Sequence, residues 1–396
     1  MFSSFKKLPD DPILGLAAQF KVDTNPNKID LGVGVYKNEG GTTPIFEAVK
    51  RAEAIRLEQE LTKTYTGIEG DPIFCEQIQA LILGESHPAL VEGRTSAIAA
   101  PGGSGALRVA GELIDSWRSG ANLWISKPSW PNHIPLLATA GLTTHEYPYY
   151  DHDNHSIRFE AMLDQFNKLG PEDVVLLHGC CHNPTGCDPT DEQWREITEL
   201  AGKRKFIPFL DFAYQGLARG LDEDAYGARL LAESVPEMLV AFSCSKNFGL
   251  YRDRIGALMV VTEKPEHAVA AFTHMKSIAR RLYSLPPAHG AMIVASILTD
   301  PVLRNSWESE LKAMTNRINS LRQLLVEALQ KKGSPKDFSF IASQYGLFSF
   351  LDLSKEQVER LREEFSIYLV GNSRINIAGV NPENVEYLAE SIIAVL

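Results

Sequence analysis

The sequence is poor in cysteine, in positive charge and in long apolar runs, and each shortage excludes a class of protein. Its five cysteines are an odd number, and Cys180 and Cys181 are adjacent, so a disulfide framework is not expected. The 39 lysines and arginines are outnumbered by 50 acidic residues, and the net charge of -11 disfavours binding to nucleic acid or to an acidic membrane. No stretch reaches the roughly 18 apolar residues of a membrane helix, and no signal-peptide pattern is present. We therefore expect a cytoplasmic protein.

The length and the pattern of apolar residues predict an α/β fold with two domains. A chain of 396 residues is long for a single hydrophobic core. Between residues 95 and 260, short apolar runs alternate with amphipathic segments, as in a mostly parallel sheet covered by helices. The predicted strands are Ser96–Ala100, Leu123–Ser126, Val174–His178, Phe206–Leu210, Met238–Phe242 and Ile255–Val261. A long helical region is predicted from His289 to Lys332, ahead of a C-terminal lobe.

Helix starts are indicated by capping residues. Thr190 with Gln193, and Ser354 with Gln357, have the spacing of a capping box and precede amphipathic segments. Pro382 is predicted to occupy the first position of the final helix, where a missing N–H group is tolerated.

A glycine-rich segment, Gly102 to Gly105, follows the first predicted strand and precedes a helix. Open parallel sheets bind ligands at the carboxyl ends of their strands, and the backbone N–H groups here could hold a phosphate. The segment has neither the GxGxxG pattern of dinucleotide-binding folds nor the GK[ST] ending of a P-loop. An ordinary turn between strand and helix is an equally good interpretation.

Lys246 stands at the end of another predicted strand, beside the hydroxyls of Ser243 and Ser245 and a few residues before Arg254. A lysine forms a Schiff base with a carbonyl once desolvation or cationic neighbours lower its pKa. Hydroxyls and a guanidinium suit a phosphate on the same ligand. An isolated lysine is usually a solvated surface residue, but the surrounding segment SCSKNFGLYRDRIG argues against that interpretation.

Asp211 ends the strand predicted at Phe206–Leu210, where an unpartnered carboxylate would be unfavourable to bury. A protonated pyridine nitrogen is a natural partner, because the carboxylate keeps that nitrogen charged and strengthens the ring as an electron sink. Tyr214 and Asn183 could then bind a ring oxygen. The alternative for Asp211 is an ordinary helix N-cap.

A cluster of metal-binding residue types also requires an explanation. It consists of His178, Cys180, Cys181, His182 and Cys187. Adjacent strand residues point to opposite faces, and structural zinc usually takes a CxxC-type pair, so the spacing argues against zinc. We expect no metal, and we interpret these residues as small buried strand residues.

Several motifs together make the chain recognisable. They are DPILGL at 11–16, LGVGVYK at 31–37, TKTYTGIEG at 62–70, KPSWPNH at 127–133, HNPTG at 182–186, LDFAYQGLARG at 210–220, SCSKNFGLYRDRIG at 243–256 and YSLPPAHG at 283–290. From end to end the sequence resembles the aspartate/aromatic aminotransferases of fold-type I. The combination is far more specific than any single motif.

The resemblance implies a pyridoxal 5'-phosphate enzyme with a mostly parallel seven-stranded sheet covered by helices, plus a smaller α/β domain. It implies a large cofactor-binding domain at 44–313, with a small domain formed by 1–43 and 314–396. It also implies a homodimer with shared active sites. The implied cofactor ligands are Lys246 as the Schiff-base lysine, Asp211 at the pyridine nitrogen, Tyr214 and Asn183 at the ring hydroxyl, and Trp130 stacked on the ring with His133 and His178 behind it. The implied phosphate ligands are Gly103, Ser104, Ser243, Ser245, Arg254 and Tyr65 of the partner subunit.

For substrates, the resemblance implies amino acids and 2-oxo acids. Arg374 matches the arginine that binds the substrate α-carboxylate, beside Asn183, Trp130 and the Gly34 backbone. Arg280 of the partner subunit matches the arginine that binds a side-chain carboxylate, although its neighbour Arg281 competes for this assignment. Two planar guanidinium groups at opposite ends of a pocket suit a dicarboxylate. Lys246, Asp211, Tyr214 and Trp130 would carry the chemistry of a transfer from aspartate to 2-oxoglutarate.

Some residues depart from the aspartate pattern, so alternatives stay open. Ser104 and Leu285 stand where aspartate-preferring relatives more often have Thr and Asn, and the apolar Leu285 favours aromatic substrates. Val35, Lys37 and Thr43 instead resemble the aspartate-preferring pattern. An aromatic-amino-acid aminotransferase is therefore the first alternative. A β-elimination or decarboxylation enzyme of the same fold, and a catalytically silent binding protein, are further ones.

Overall fold

The computed structural model describes residues 2–8 and 12–396. The motif DPILGL begins at Asp11, which lies outside the described residues. Contacts divide the chain into two compact units. The small unit contains the described residues up to Thr43, Pro184–Gly186 and Arg317–Leu396, and the large unit contains Pro44–Asn183 and Cys187–Asn316.

The strands and helices are numbered in chain order. The strands are β1 Ile29–Asp30, β2 Thr95–Pro101, β3 Asn122–Lys127, β4 Thr143–Pro148, β5 Tyr150–Asp151, β6 Ser156–Ile157, β7 Asp173–His178, β8 Ile207–Phe212, β9 Met238–Ser243, β10 Ile255–Val261, β11 Phe348–Phe350, β12 Ile367–Tyr368 and β13 Arg374–Asn376. The α-helices are α1 Pro12–Val22, α2 Glu47–Gln59, α3 Pro72–Leu83, α4 Pro88–Val91, α5 Gly102–Trp117, α6 His133–Ala138, α7 Phe159–Phe166, α8 Asp191–Arg204, α9 Leu221–Asp224, α10 Tyr226–Ser234, α11 Pro265–Leu282, α12 His289–Thr299, α13 Pro301–Lys331, α14 Lys355–Phe365 and α15 Val385–Val395. Single 3-10 turns cover Phe2–Ser4, Ser339–Ser343 and Ile377–Gly379.

The large unit is built on a seven-stranded sheet in the order β2, β10, β9, β8, β7, β3, β4. β10 runs antiparallel to both neighbours, and the other paired strands run parallel. The prediction of a mostly parallel sheet is confirmed, and every strand predicted from an apolar run is present. The remaining strand, β4, has the polar sequence TTHEYP because it forms a partly exposed edge, so it carries no apolar run.

The central strands are apolar along their whole length because they are buried. Every residue of β9 and β10 is buried, as expected for strands in the middle of a sheet that helices cover. Helices α5 and α11 pack against β2, and their apolar residues join a core with Leu123, Ile125 and Leu258. Each fully buried leucine or isoleucine in such a core contributes about 1.5–3 kcal/mol.

Both predicted capping boxes are confirmed. The Thr190 side chain accepts from the Gln193 N–H group, and the Gln193 side chain accepts from the Thr190 N–H group, so they begin α8. Ser354 and Gln357 make the same reciprocal pair at α14. These short-range bonds involve only neighbouring residues, which is why the sequence alone predicts them.

The prediction of one helical region from His289 to Lys332 is wrong in one respect, because the region is two helices. The first helix, α12, ends at Thr299, and α13 begins at Pro301. Between them the Asp300 carboxylate accepts from the N–H groups of Val302 and Leu303, which makes a new helix start. Proline suits the first position of that second helix.

The prediction for the final helix is also wrong. Pro382 does not begin a helix, and α15 starts at Val385. The Asn381 carboxamide accepts from the N–H groups of Glu383 and Asn384, and this turn precedes the helix. An asparagine that bonds its own following backbone competes with helix formation.

The small unit contains two separate two-stranded sheets. β1 pairs in parallel with β12, and β11 pairs antiparallel with β13. Helix α14 packs against α15 and β12, and Leu361, Leu388 and Ile392 are buried there. Among the residues that the structure describes, no helix is long and apolar enough to cross a membrane.

Candidate active site

A cavity of about 160 Å³ lies in the large unit where strands β8 and β9 end at their carboxyl termini. Its lining consists of Gly103, Ser104, Leu107, Trp130, Asn183, Asp211, Ala213, Tyr214, Ser243, Ser245, Lys246 and Arg254. All of these except Leu107 and Ala213 are among the cofactor ligands expected from the sequence. Leu107 lies one helical turn after Gly103. Its helical spacing from that residue could therefore have indicated from the sequence that it lines the cavity. Ala213 has no chemical feature that would indicate a site.

Lys246 follows β9 in a tightly held segment. Its Nζ atom lies 5.2 Å from the centroid of the Tyr214 ring. The next residue, Asn247, accepts a hydrogen bond from the Trp307 indole at 2.7 Å, and the Phe248 ring stacks on that indole at 4.4 Å. Because these neighbours are buried, the amine of Lys246 is presented to the cavity from a rigid support.

Asp211 ends β8 and is held by a buried histidine. His133 Nε2 donates to Asp211 Oδ2 at 2.9 Å. Burial raises the pKa of the Asp211 carboxyl, but the hydrogen bond from His133, together with favourable electrostatic interactions with neighbouring groups that include Lys246, outweighs it and holds the pKa below its usual value. Asp211 is therefore an anion that faces the cavity.

The hydrogen bonds continue behind His133. Ser129 Oγ donates to His133 Nδ1 at 2.8 Å and accepts from His178 Nε2 at 3.1 Å. Burial, helped by the nearby His133, lowers the pKa of His178 to about 3, so this ring is neutral. The chain of donors fixes the His133 proton on Nε2, where Asp211 accepts it. The family resemblance implies both histidines behind the cofactor, whereas the role of Ser129 is not apparent from the sequence.

The cavity lining also contains donors that suit an anion. Helix α5 begins at Gly102 without a side-chain cap, so the N–H groups of its first turn remain for a ligand. Arg254 Nη1 donates to Ser245 Oγ at 3.3 Å and to the Tyr251 carbonyl at 2.9 Å. A Cβ on Gly102, whose φ is +70°, would come within 2.5 Å of the Arg254 guanidinium, so only glycine lets the two approach.

This donor set fits pyridoxal phosphate. A helix N-terminus, a guanidinium and the hydroxyls of Ser243 and Ser245 suit a phosphate group. The anionic carboxylate of Asp211 suits a protonated ring nitrogen. The lysine amine belongs to the same lining, where a carbonyl carbon could meet it.

Four predicted site residues do not line this cavity. Tyr65 is 92% exposed, and Arg280, in the last turn of α11, is exposed and donates to the Ser284 hydroxyl. Gly34 and Arg374 belong to the small unit. There Arg374 is buried, and its Nη2 atom donates to the Gly32 carbonyl at 2.8 Å.

The residues considered for a metal site do not all lie close together. Within the described part of the chain, the group close enough to share an ion is Cys180, Cys181 and Asp224. The Asp224 carboxylate already accepts backbone N–H groups from Gly216, Ala218 and Arg219 at 2.8–3.0 Å. Burial raises the pKa of the Cys180 thiol well above its usual value. Asp224 therefore stabilises the backbone of a loop. A buried neutral thiol is in addition a poor metal ligand.

Because His178 and His182 are buried, we expect the free energy of unfolding to fall in mild acid. Burial lowers the pKa of both His178 and His182, so each stays neutral in the folded state but takes up a proton when unfolded below about pH 6.5. Each histidine therefore reduces the free energy of unfolding by about 1.4 kcal/mol per pH unit below that value. Burial raises the pKa of Asp188 to about 6, so this carboxyl acts in the opposite direction between about pH 6 and 4.

We expect urea unfolding of the cofactor-loaded protein to give a lower free energy at pH 5.5 than at pH 7.5. In the variant His182→Gln, which keeps a hydrogen-bonding group near Ser126 Oγ, the decrease should be smaller by about 1.4 kcal/mol per pH unit. An identical pH dependence in both proteins would contradict the neutral, buried state of His182.

Comparison with known proteins shows the family of this chain. The sequence matches the family described as aminotransferase class I and II over residues 26–392. It is 50% identical to an aspartate aminotransferase of Escherichia coli (strain K12) over 100% of both chains. It is 46% identical to an aromatic-amino-acid aminotransferase of Pseudomonas aeruginosa, with 99% of this chain and 98% of that one covered.

A solved structure gives the same result. An aromatic-amino-acid aminotransferase from Burkholderia pseudomallei, covalently bound to pyridoxal phosphate, has a TM-score of 0.97 and 43% identity, covering 100% of this chain and 99% of that chain. Sequence, fold and relatives therefore agree, and the chain belongs to the class I and II aminotransferases.

Proposed function

We propose that this protein is a pyridoxal-phosphate-dependent aspartate aminotransferase. It transfers the amino group of L-aspartate to 2-oxoglutarate in a reversible two-stage cycle, giving oxaloacetate and L-glutamate. The observation that carries the proposal is the cavity that Lys246, Asp211 and the phosphate-binding donors line together. The relative from Escherichia coli, which bears this name, supports it.

The roles of the cavity residues follow from their chemistry. When bound, the cofactor supplies a cationic ring that accepts the electrons released as the substrate Cα–H bond breaks. Asp211, held by His133, keeps the ring nitrogen protonated. Lys246 would hold the cofactor covalently through Nζ, and its amine, when free, would accept the α-proton of the substrate.

Further residues orient the ring and its phosphate. We assign Trp130 to the ring face and Tyr214 with Asn183 to the ring hydroxyl. The phosphate is assigned to Gly103, Ser104, Ser243, Ser245 and Arg254, with Tyr65 of the partner subunit. In this assignment, residues 44–313 hold the cofactor. Residues 1–43 with 314–396 supply Gly34 and Arg374.

Substrate recognition is assigned to two arginines. Arg374, with Asn183, Trp130 and the Gly34 backbone, takes the α-carboxylate, and Arg280 of the partner subunit takes the side-chain carboxylate. A buried guanidinium such as Arg374, which is 3% exposed, binds a carboxylate strongly because water competes little there.

The second arginine requires a homodimer with shared active sites. Tyr65 and Arg280 are exposed and do not line the cavity of their own chain. Leu57 and Leu61, which precede Tyr65 in the sequence, are 84% and 94% exposed, which is a large apolar exposure for a chain that stays alone. We also propose the cytoplasm as the site of action, because an odd number of cysteines that includes the adjacent Cys180 and Cys181 does not suit the disulfide framework of a secreted protein.

An aromatic-amino-acid aminotransferase is the alternative function. The Pseudomonas aeruginosa relative bears this name at 46% identity. Leu285 is partly exposed in the segment that follows Arg280, where an apolar residue favours an aromatic substrate. Activity on tyrosine and phenylalanine in addition to aspartate is consistent with both observations.

The test is the half-reaction followed by the visible absorbance of the bound cofactor. Aspartate and phenylalanine are mixed separately with the purified protein, and 2-oxoglutarate is then added. Faster bleaching by aspartate, with recovery, is the expected result, together with oxaloacetate as the product. Faster bleaching by phenylalanine would favour the aromatic enzyme, and alanine as the first product from aspartate would indicate decarboxylation.

A further inference from the structure

The guanidinium of Arg374 rests on an aromatic ring. Its Cζ atom lies 4.2 Å from the centroid of the Phe348 ring, and both side chains are buried, at 3% and 2% exposure. A cation over an aromatic face is attracted to the ring's negative charge density, and more strongly where water is excluded. A planar guanidinium stacked on a ring also keeps its N–H groups in its own plane, where they can reach a carboxylate side by side.

The ring itself has little freedom to move. A Cβ on Gly34 would come within 2.8 Å of Phe348 Cζ, so the Gly34 backbone closes the far end of the ring. At the backbone of the same residue, a Cβ on Gly186 would come within 2.4 Å of the Phe348 carbonyl, and Tyr345 N–H donates to the Gly186 carbonyl at 2.8 Å. Close approach of backbone therefore confines Phe348 from two sides.

A second buried arginine holds the backbone that carries the ring. Arg322, 1% exposed, donates from Nη2 to the carbonyls of Tyr345, Gly346 and Phe348 at 3.0, 2.7 and 2.8 Å. Its Nη1 donates to the Ile341 carbonyl at 3.1 Å. Bonds from one charged group to four carbonyls order the segment before β11 and its first residue.

The strand that carries Arg374 is joined to the same frame. In the β11·β13 pair, Phe350 lies opposite Arg374 and Phe348 lies opposite Asn376. Asn376 Nδ2 donates to the carbonyls of Val33 and Val35 at 2.6 and 2.7 Å, so it holds the backbone on both sides of Gly34. The Gly34 backbone thus packs against the Phe348 ring, and the Phe348 ring packs against the Arg374 guanidinium.

We propose that Phe348 is a positioning residue that sets the orientation of the Arg374 guanidinium and so determines the affinity for the α-carboxylate of every amino-acid and 2-oxo-acid substrate. This inference rests on the proposed role of Arg374. It assigns to Phe348 a function in specificity for carboxylates, in addition to its contribution to the core.

The test compares Phe348→Leu with the matched control Phe338→Leu. Phe338 has the same 2% exposure in the same unit, and its ring also lies under a cation, with Lys336 Nζ at 5.5 Å. The first readout is the dissociation constant of succinate, a dicarboxylate without an amino group, measured by calorimetry. We expect Phe348→Leu to weaken succinate by about 5- to 30-fold and Phe338→Leu to leave it within about 2-fold.

The second readout uses two probes that carry the same nucleophile. Aminooxyacetate has a carboxylate and O-methylhydroxylamine has none, and both react with the bound cofactor with a visible spectral change. In Phe348→Leu, reaction with aminooxyacetate should slow by about the factor seen for succinate, whereas reaction with O-methylhydroxylamine should not change. KM for aspartate and for 2-oxoglutarate should rise together, with kcat changed much less, because the proton transfer does not involve Arg374.

Equal effects of the two variants, or equal slowing of both probes, would overturn the inference. The variant Arg374→Gln separates this failure from a failure of the proposed function. If it retains the carboxylate preference, Arg374 is not the clamp. If it loses the preference while Phe348→Leu keeps it, only the role of Phe348 is wrong. Phe348→Met is a second variant of similar volume, for use if Phe348→Leu does not fold.

Discussion

Replacing Lys246 with alanine is expected to reduce transamination by at least about 10⁴-fold. Loss of a positioned base alone removes about 10² to 10⁴ in rate, and the loss of covalent attachment adds to it. The cofactor should still bind, because Arg254, Ser243 and Ser245 remain at the phosphate end of the cavity. The measurement is the single-turnover rate with aspartate, together with the mass of the denatured protein after borohydride reduction, which should no longer include the cofactor.

The control for this prediction is Lys312→Ala, which removes an exposed lysine of α13. It should keep the activity and the covalent cofactor. Retention of the cofactor mass in Lys246→Ala would mean that another lysine carries the cofactor, and the assignment of the cavity would then be wrong.

Replacing Arg280 with alanine is expected to reduce kcat/KM for aspartate by about 10²-fold or more and to leave phenylalanine nearly unaffected. Loss of one partner from a desolvated charge pair is unfavourable by about 2–5 kcal/mol, and only the dicarboxylate makes that pair. Steady-state rates with both amino acids measure the difference.

Arg281→Ala is the matched control, because both arginines are exposed residues in the last turn of α11. We expect it to leave both substrates unchanged. The reverse outcome, in which Arg281 and not Arg280 discriminates, would move the assignment by one residue. Equal losses for both substrates in Arg280→Ala would remove this arginine from the specificity role.

Much of the large unit could be predicted from the sequence because its signals are local. Apolar runs such as MLVAFS are long enough to indicate buried strands, and the polar residues that follow them mark the carboxyl edge of the sheet. Since parallel strands end at one edge, Asp211 and Lys246 were expected together, and both line the same cavity. The capping boxes of α8 and α14 were predictable for the same reason.

Other features depend on residues far apart in the chain. The edge strand β4 has no apolar run, and the start of α15 depends on a turn at Asn381 that competes with the helix. Ser129 lies between two histidines 45 positions apart in the sequence, at 133 and 178, and only their proximity makes it a link. The stack of Phe348 on Arg374 has no sequence pattern, because a strand pairing and a loop bring these residues together.

By itself the sequence determined the fold class, the family and the chemical types of the site residues, because strand burial, helix caps and motif spacing are encoded within short segments. Only the tertiary structure decided which groups touch. It joined His133 to Asp211, left Tyr65 and Arg280 exposed on their own chain, and packed Arg374 against Phe348 and Gly32. The physical reason is that charge, hydrogen bonding and packing act over a few ångströms in space, whatever the separation along the chain.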